Sequence, residues 1–555
     1  MKINNFIKIR ILFFLATFVI GLSHAWLTRN VIDSDCISYF DTADEILKGN
    51  WRALINGFWS PLYSLIIGLF FYFFKPSYIW ESTLVHFINF FICLLTFFTF
   101  DFFIMQLVRV YKGAEKEEKH LLLPEWTLMC LGYTLFIWSS MNMITISAVT
   151  PDMLVALFFY LAAGILLKVK SGNLNWLVFC LLGIVLGLGY LSKAAMFPVA
   201  FIFFGIVFFA TCKIPKRVFY LSIFLLSFFL ISTPYIILLS KNKGRLTFGD
   251  IGVINYAWHT NSNTCKIWKK DFPYCKKLLH PLNVIFKDPI ILEYSEPLKV
   301  TYPIVFDASY WFEGGTVPYF DIKGQLKALI ENTKEYFNLL FNMQGMLLAL
   351  VSLFFIGKKR WLCLKDINKQ WVLIFPSLFS MIMYFTIHVE YRYIAAFWVV
   401  FWLGLFSALQ FSHVKNLQEI LAKVTLVACA MMLITSIFSK DLLEYREEGK
   451  SLAVNWQVAD YFKNIGIKQG EKVGVIGIYD DYYWARLLKV RIIAEVPSEE
   501  EINNFWAADN SLRIEALNAF RKFDMKIVVA GRAPSGASKF GWVNIDDTPY
   551  YYYVL

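Results

Sequence analysis

Long apolar runs separated by short polar loops set the rhythm of this chain. Runs able to cross a hydrocarbon layer of ~30 Å, at about 20 residues each, begin near Ile11, Leu84, Leu122, Met153, Trp176, Phe197, Val218, Tyr336, Trp371, Ile394 and Ile420. Lipid offers no partner for a bare peptide group, so such runs must be helices. The pattern predicts an α-helical polytopic membrane protein with about eleven transmembrane helices. Basic residues gather in alternate loops: Arg109 to Lys119, Lys168-Val-Lys170, Lys213 to Arg217, Lys358-Lys359-Arg360 and His413-Val-Lys415. With the basic N-terminus, the positive-inside rule makes that side cytoplasmic.

One run breaks the length rule. Pro61 to Phe74 is apolar but only about fourteen residues long, short for a span. Counting it as a crossing would put the Arg109–Lys119 loop outside. It is therefore expected to be a juxtamembrane helix within a first outer loop, residues 27–82. A second, long outer loop covers residues 241–335 and escapes the charge rule by its length. Residues 1–439 thus form a transmembrane domain. From 440 to 555 the charge becomes ordinary, and a small extracytoplasmic α/β domain is expected. Its strands are expected at Val473–Ile478, Lys526–Ala530 and Tyr550–Leu555, with a mostly helical stretch from Ile502 to Lys522.

Composition agrees. The 555 residues are 58% hydrophobic and 17% charged, which excludes a soluble domain with a polar surface. The net charge of +11 follows from the cytoplasmic loops and gives no reason to expect nucleic acid. Lys2, Lys8 and Arg10 before an apolar run, with Ser23-His24-Ala25 after it, look like a secretory signal; a retained first helix is the expectation. Nine Cys form no CxxC pair. Cys265 and Cys275 share the long outer loop, where they can pair or remain two free thiols; spacing does not choose. His259 and His280 flank them without a zinc spacing. Gly474 and Gly477 make no Gly-x-Gly-x-x-Gly, so nucleotide binding has no support.

The polar residues that carry chemistry meet at the outer helix ends: Asp33, Asp35, Tyr39 and Asp41 in the first loop, then Asp152, Lys193, and His388-Val-Glu390-Tyr391-Arg392-Tyr393. Each has a plain structural reading. Asp152 suits a helix N-cap, Lys193 can snorkel to the interface, and Glu390 with Arg392 makes an ion pair. Asp101, inside an apolar run, suits an interior partner and is given no functional role. Taken together they describe a cavity for a lipid with an anionic head. Lys and Arg hold a phosphate, and a carboxylate serves as general base. Asp35 and Asp152 are also candidate ligands for Mg²⁺ or Mn²⁺.

On these residues the chain resembles the GT-C glycosyltransferases, in the bacterial branch of aminoarabinose transferases and RgtA/B/C/D-like domains related to protein O-mannosyltransferases. Ser34-Asp35-Cys36-Ile37-Ser38-Tyr39 through Gly49-Asn50-Trp51 is similar to their first-loop pattern, and Ser60-Pro61-Leu62-Tyr63 to their Pro-x-Tyr segment. Ser60 stands where the aminoarabinose branch has Lys, and Ala194 where the Ser-Lys-Gly element has Gly. Thr150-Pro151-Asp152, Leu191-Ser192-Lys193 and Glu390-Tyr391-Arg392-Tyr393 match three later elements. The resemblance implies Asp35 as catalytic carboxylate, with Asp33 and Asp152 beside it. It implies Tyr39, Asp41, Tyr63, Lys193, Glu390, Arg392 and Tyr393 as substrate contacts. It also implies a polyprenyl-phosphate-linked sugar as donor, and a lipid, glycan or protein as acceptor, at the outer face of a bacterial inner membrane. Two other readings stand: a transporter or flippase of lipid-linked saccharides, and a scaffold whose outer domain binds a partner.

Overall fold

The computed structural model describes residues 3–117, 123–261, 283–294, 298–312, 319–353, 367–408, 417–438, 453–477, 482–531, 533–534 and 536–555. Helix α1 (Ile3–Leu27) leads to the amphipathic α2 (Ser34–Leu47) and to α3 (Pro61–Phe74), which packs on α2. Pro61 starts α3 because its missing N–H costs nothing at a first turn. The bundle continues through α4 (Tyr78–Glu117), α5 (Glu125–Ser139), α6 (Asp152–Lys170), α7 (Trp176–Ser192), α8 (Met196–Ala210) and α9 (Arg217–Lys243). It closes with helices Ile322–Phe337, Gly345–Leu353, Trp371–Phe385, Tyr391–Ala408 and Leu417–Ile437. The short α10 (Ile251–Thr260) lies in the second long loop.

Among the described residues, seven helices are long and apolar enough to cross a bilayer, as befits a multi-pass membrane protein. Helices α7, α8 and Trp371–Phe385 are shorter, at 17, 15 and 15 residues, yet pack within the same bundle. The apolar run near Tyr336 differs from expectation. Helix Ile322–Phe337 already starts inside the supposed loop, and a π-turn over Asn338–Met343 separates it from Gly345–Leu353. Glycines let α7 and α9 approach closely. A Cβ on Gly183 would strike the Phe224 carbonyl oxygen, and one on Gly187 would lie 2.8 Å from the Ile231 Cβ. An aromatic column of Phe97, Phe100, Tyr133, Phe136 and Tyr160 fills the space between α4, α5 and α6. Asp101 finds its interior partners there: Arg10 donates to it at 2.7 and 2.5 Å, and the Tyr133 hydroxyl at 2.7 Å.

A seven-stranded sheet stands beyond one end of the bundle. It comprises β1 (Asn283–Lys287), β2 (Ile290–Glu293), β3 (Lys472–Ile476), β4 (Arg491–Val496), β5 (Met525–Ala530), β6 (Val543–Asn544) and β7 (Tyr551–Val554). The order is β1-β2-β4-β3-β5-β7-β6, parallel at its centre and antiparallel at both margins. The three expected strands correspond to β3, β5 and β7. The expected helix is two, Glu499–Ala507 and Asn510–Arg521. The sheet does not respect a division at residue 440, since β1 and β2 come from the second long loop and β2 pairs with β4. A two-stranded hairpin has little stability alone, so β1 and β2 need this larger sheet. Cys265, Cys275 and His280 lie outside the described residues.

Candidate active site

At the end of the bundle nearest the sheet, α6 and α7 and helix Tyr391–Ala408 present charged side chains to one another. Helix α6 begins at Asp152 because Pro151 fixes the preceding φ at −77°. Asp152 does not cap its own helix. Its buried Oδ1 accepts a hydrogen bond from Lys193 Nζ at 2.5 Å, and Oδ2 lies 3.9 Å from Arg392 Nε. Lys193 stands where α7 stops, its backbone extended at φ −155°, ψ 127°, so its side chain reaches inward. The ammonium also sits 3.7 Å above the Tyr393 ring, a cation–π contact. Snorkelling to water is not its arrangement. Burial pulls the Lys193 ammonium pKa down, with Arg392 adding to it and Asp152 opposing.

Arg392 donates from Nε to Glu390 Oε2 at 2.6 Å and from Nη2 to the Tyr393 hydroxyl at 3.4 Å. His388 Nε2 approaches the other Glu390 oxygen at 3.5 Å. Burial opposes the Glu390 carboxylate, but His388, Arg392 and Lys193 together outweigh it and hold the pKa down at about 2. The His388 ring stacks in parallel on His259 of α10, with centroids 3.9 Å apart, so the second long loop joins this rim. Burial, then His388, pulls His259 down to about 4.

The first loop completes the arrangement. Asp33 is the N-cap of α2, accepting from the Cys36 N–H at 2.9 Å. Its second oxygen accepts from the Val149 N–H at 3.2 Å, tying the first loop to the loop before α6. Burial, then the charge of Asp35, pushes Asp33 up to about 7 despite these bonds. Asp35, in the first turn of α2, lies within electrostatic reach of Asp33, Tyr39 and Tyr393. Tyr39 is buried and faces Asp35, Asp152 and Arg392 electrostatically, with Trp59 and Tyr63 edge-on at 5.1 and 5.0 Å.

Two expected contacts have other partners. The Tyr63 hydroxyl donates to Asn89 Oδ1 at 2.6 Å, and Asn89 donates onward to the carbonyls of Ile146 and Ala148. Tyr63 therefore braces the loop that carries Asp152. Asp41 turns to the opposite side of α2, where it is 5% exposed and accepts from Thr301 and from Arg486. A contact from Asp41 to the substrate rim is excluded by that orientation. Asn89, Thr301 and Arg486 gave no local signal in the sequence, since each acts through partners far along the chain.

Asp152 has one oxygen left for a further ligand. Its Oδ1 is taken by Lys193 at 2.5 Å, whereas Oδ2, buried 3.9 Å from Arg392 Nε, accepts no hydrogen bond, and the cations beside it disfavour a divalent ion. Among the described residues no three His, Cys, Asp or Glu side chains converge as a ligand set. On the lipid side, α8 and helix Trp371–Phe385 enclose a groove of about 620 Å³. It is lined mainly by Phe201, Ile206, Phe209, Trp371, Phe375 and Phe379. The opposite end of α8 begins three residues after Lys193, and helix Trp371–Phe385 ends three before His388.

The helical bundle, with its amphipathic first-loop helix and the sheet beyond it, matches the GT-C fold. Two solved structures share it over nearly the whole chain. ArnT from Cupriavidus metallidurans bound to undecaprenyl phosphate is similar at TM-score 0.58 and 10% identity, covering 99% of this chain and 98% of that one. ArnT from the same organism in the apo state is similar at TM-score 0.53 and 11% identity, covering 96% of each. No family model and no curated protein matches the sequence.

Proposed function

We propose that this protein is an integral-membrane glycosyltransferase that moves a sugar from a polyprenyl-phosphate donor to an acceptor at the outer face of a bacterial inner membrane. The observation that carries the reading is the convergence of Lys193 and Arg392 on Asp152 at one end of the bundle, with Asp35 in electrostatic reach of Tyr393. The donor phosphate binds between the Arg392 guanidinium and the Lys193 ammonium. Its isoprenoid tail follows the apolar groove between α8 and helix Trp371–Phe385. ArnT with undecaprenyl phosphate supports a lipid phosphate as the ligand of such a fold. Lys168, Lys170, Lys213 and Arg217 at the opposite helix ends support an N-terminus in the cytoplasm.

The chemistry follows from charge. Asp35 takes the proton of the acceptor hydroxyl as its oxygen attacks the anomeric carbon. The bond from that carbon to the phosphate oxygen breaks, and polyprenyl phosphate leaves with the bonding electrons. Lys193 and Arg392 stabilise the charge it gains. Asp33 serves less as a second base than as a fixed point, because both oxygens already accept backbone hydrogen bonds. The acceptor is a lipid, glycan or protein.

The test is genetic and chemical together. Cells lacking the protein should lose one glycan mass from the envelope, and the wild-type chain should restore it. Asp35→Asn, inserted at the same level, should restore none, a loss of about 100-fold or more in transfer rate. Full restoration by Asp35→Asn would defeat the assignment.

A further inference from the structure

The sheet-bearing part touches the catalytic loop through one short helix. In Tyr483–Leu488, Arg486 is 2% exposed and plugs into an acidic nest. Its Nη1 lies 2.8 Å from both Asp41 and Asp44 of α2. Its Nε and Nη2 each lie 3.1 Å from Glu81 at the start of α4. Just before this helix, the Tyr482 hydroxyl donates to the carbonyl of Ser34 at 3.1 Å, between the two loop carboxylates Asp33 and Asp35. Thr301 of the second long loop adds hydrogen bonds to Asp41 from its N–H at 2.9 Å and its hydroxyl at 2.8 Å.

Helix geometry gives this clamp a consequence. At about 100° per residue, Asp44 and Asp41 lie about 180° and 240° around α2 from Asp35, whereas Tyr39 lies about 40° from it. One side of α2 thus faces the candidate active site while the other is gripped. A side-chain tip about 6 Å from the axis moves about 1 Å for each 10° of rotation. A cavity of about 310 Å³ beside the clamp, lined by Asp41, Asp44, Lys48, Thr301 and Lys489, gives a released α2 room to turn. Removing the guanidinium leaves Asp41, Asp44 and Glu81 as mutually repelling carboxylates, so the helix would not hold its angle.

We propose that Arg486 is a positioning residue for the proposed transfer: by holding Asp41 and Asp44 against Glu81 it fixes the rotation of α2 and hence the aim of Asp35. The sheet-bearing part is then a component of the catalytic machinery. This inference rests on the glycosyltransferase reading for its effect on turnover and on geometry alone for its effect on α2.

The experiment uses the full-length protein in lipid nanodiscs, as wild type, Arg486→Gln and Arg486→Lys, with undecaprenyl phosphate as the binding probe. Arg486→Gln should bind undecaprenyl phosphate within about twofold of wild type, because Lys193 and Arg392 are untouched. Amide hydrogen exchange over residues 34–47 should quicken about tenfold, while residues 391–408 stay as protected as before. Glycan restoration in cells should slow about 30-fold or more, since about 1 Å of misplacement costs that order in rate. Arg486→Lys, which keeps one charge but not the fork, should recover part of it. If Arg486→Gln is not recovered folded, Asp44→Asn replaces it under the same criteria. Unchanged exchange over 34–47, or quickened exchange with transfer within about twofold of wild type, would overturn the proposal. Failure of the glycosyltransferase reading looks different, because the wild type itself would restore no glycan. The exchange measurement then decides alone: a quickened α2 supports the clamp, and an unchanged one refutes it.

Discussion

Lys193 and Asp152, 41 residues apart in the chain, meet at 2.5 Å, and the same ammonium lies 3.7 Å over the Tyr393 ring. Three helix ends are fixed by one side chain. The pair also places a positive charge against the bundle at the level where Arg392 approaches, so a phosphate would find two cations held by carboxylates. Neutral walls would bind it weakly, and unpaired cations would be too costly to bury.

Removing one member of that pair should be expensive. Asp152→Ala leaves Lys193 and Arg392 facing each other and should destabilise the protein by about 3–5 kcal/mol. The double variant Asp152→Leu with Lys193→Met should regain most of the melting temperature without regaining transfer. Thermal unfolding in detergent measures the first effect, and glycan restoration the second.

Arg392→Lys separates binding from chemistry. The guanidinium bonds Glu390 and Tyr393 at once, which an ammonium on a flexible stem cannot reproduce alongside a phosphate. The expected result is a KM for the lipid donor about tenfold higher, about 1.4 kcal/mol, with kcat within about threefold. Equal loss in kcat would mean that Arg392 acts only on the departing phosphate.

Stability should depend on pH through two buried carboxyls. Burial raises Asp33 and Glu495 to about 7 each, with the charge of Asp35 adding to the shift at Asp33. A carboxyl raised in the folded state stabilises the fold when protonated. That contribution is complete below the unfolded value and is lost as pH rises through about 7. Each carboxyl should therefore make stability, read as melting temperature, fall from about pH 4 to about pH 7, by at most about 1.4 kcal/mol per pH unit, against the opposite slope of His259, whose lowered value steadies the fold as pH rises to about 6.5. Glu495→Gln and Asp33→Asn should each remove a share of the slope. Variants that keep the full wild-type slope would contradict both assignments.

Gly57→Ala tests how the two long loops join. A Cβ there would lie 2.5 Å from Ser309 Oγ, 2.8 Å from Asp250 Oδ2 and 3.1 Å from Lys243 Cε. Those groups form a buried set, with Lys243 donating to Ser309 at 2.8 Å, so they have little freedom to give way. Destabilisation of about 1–3 kcal/mol is expected, read as a lower melting temperature with unchanged undecaprenyl phosphate binding.

The apolar pattern by itself determined ten of the eleven expected helices, all but the run near Tyr336, which a π-turn interrupts, because a peptide in lipid has no partner but its own chain. It likewise marked Pro61–Phe74, whose bounds coincide with α3, since a short run opened by Pro is a local signal. The meeting of Asp152, Lys193 and Arg392 could be expected from the sequence because each stands at the end of an apolar run. Only the tertiary structure decided which way the other polar groups turn. Asp41 and Asp35 are both carboxylates in one amphipathic helix, yet Asp41 is claimed by Arg486, 445 residues away. Tyr63 is likewise claimed by Asn89, and β1 and β2 by a sheet whose other strands lie after residue 470. Local spacing fixes the face of a helix, but what that face meets depends on charges brought together from the far end of the chain.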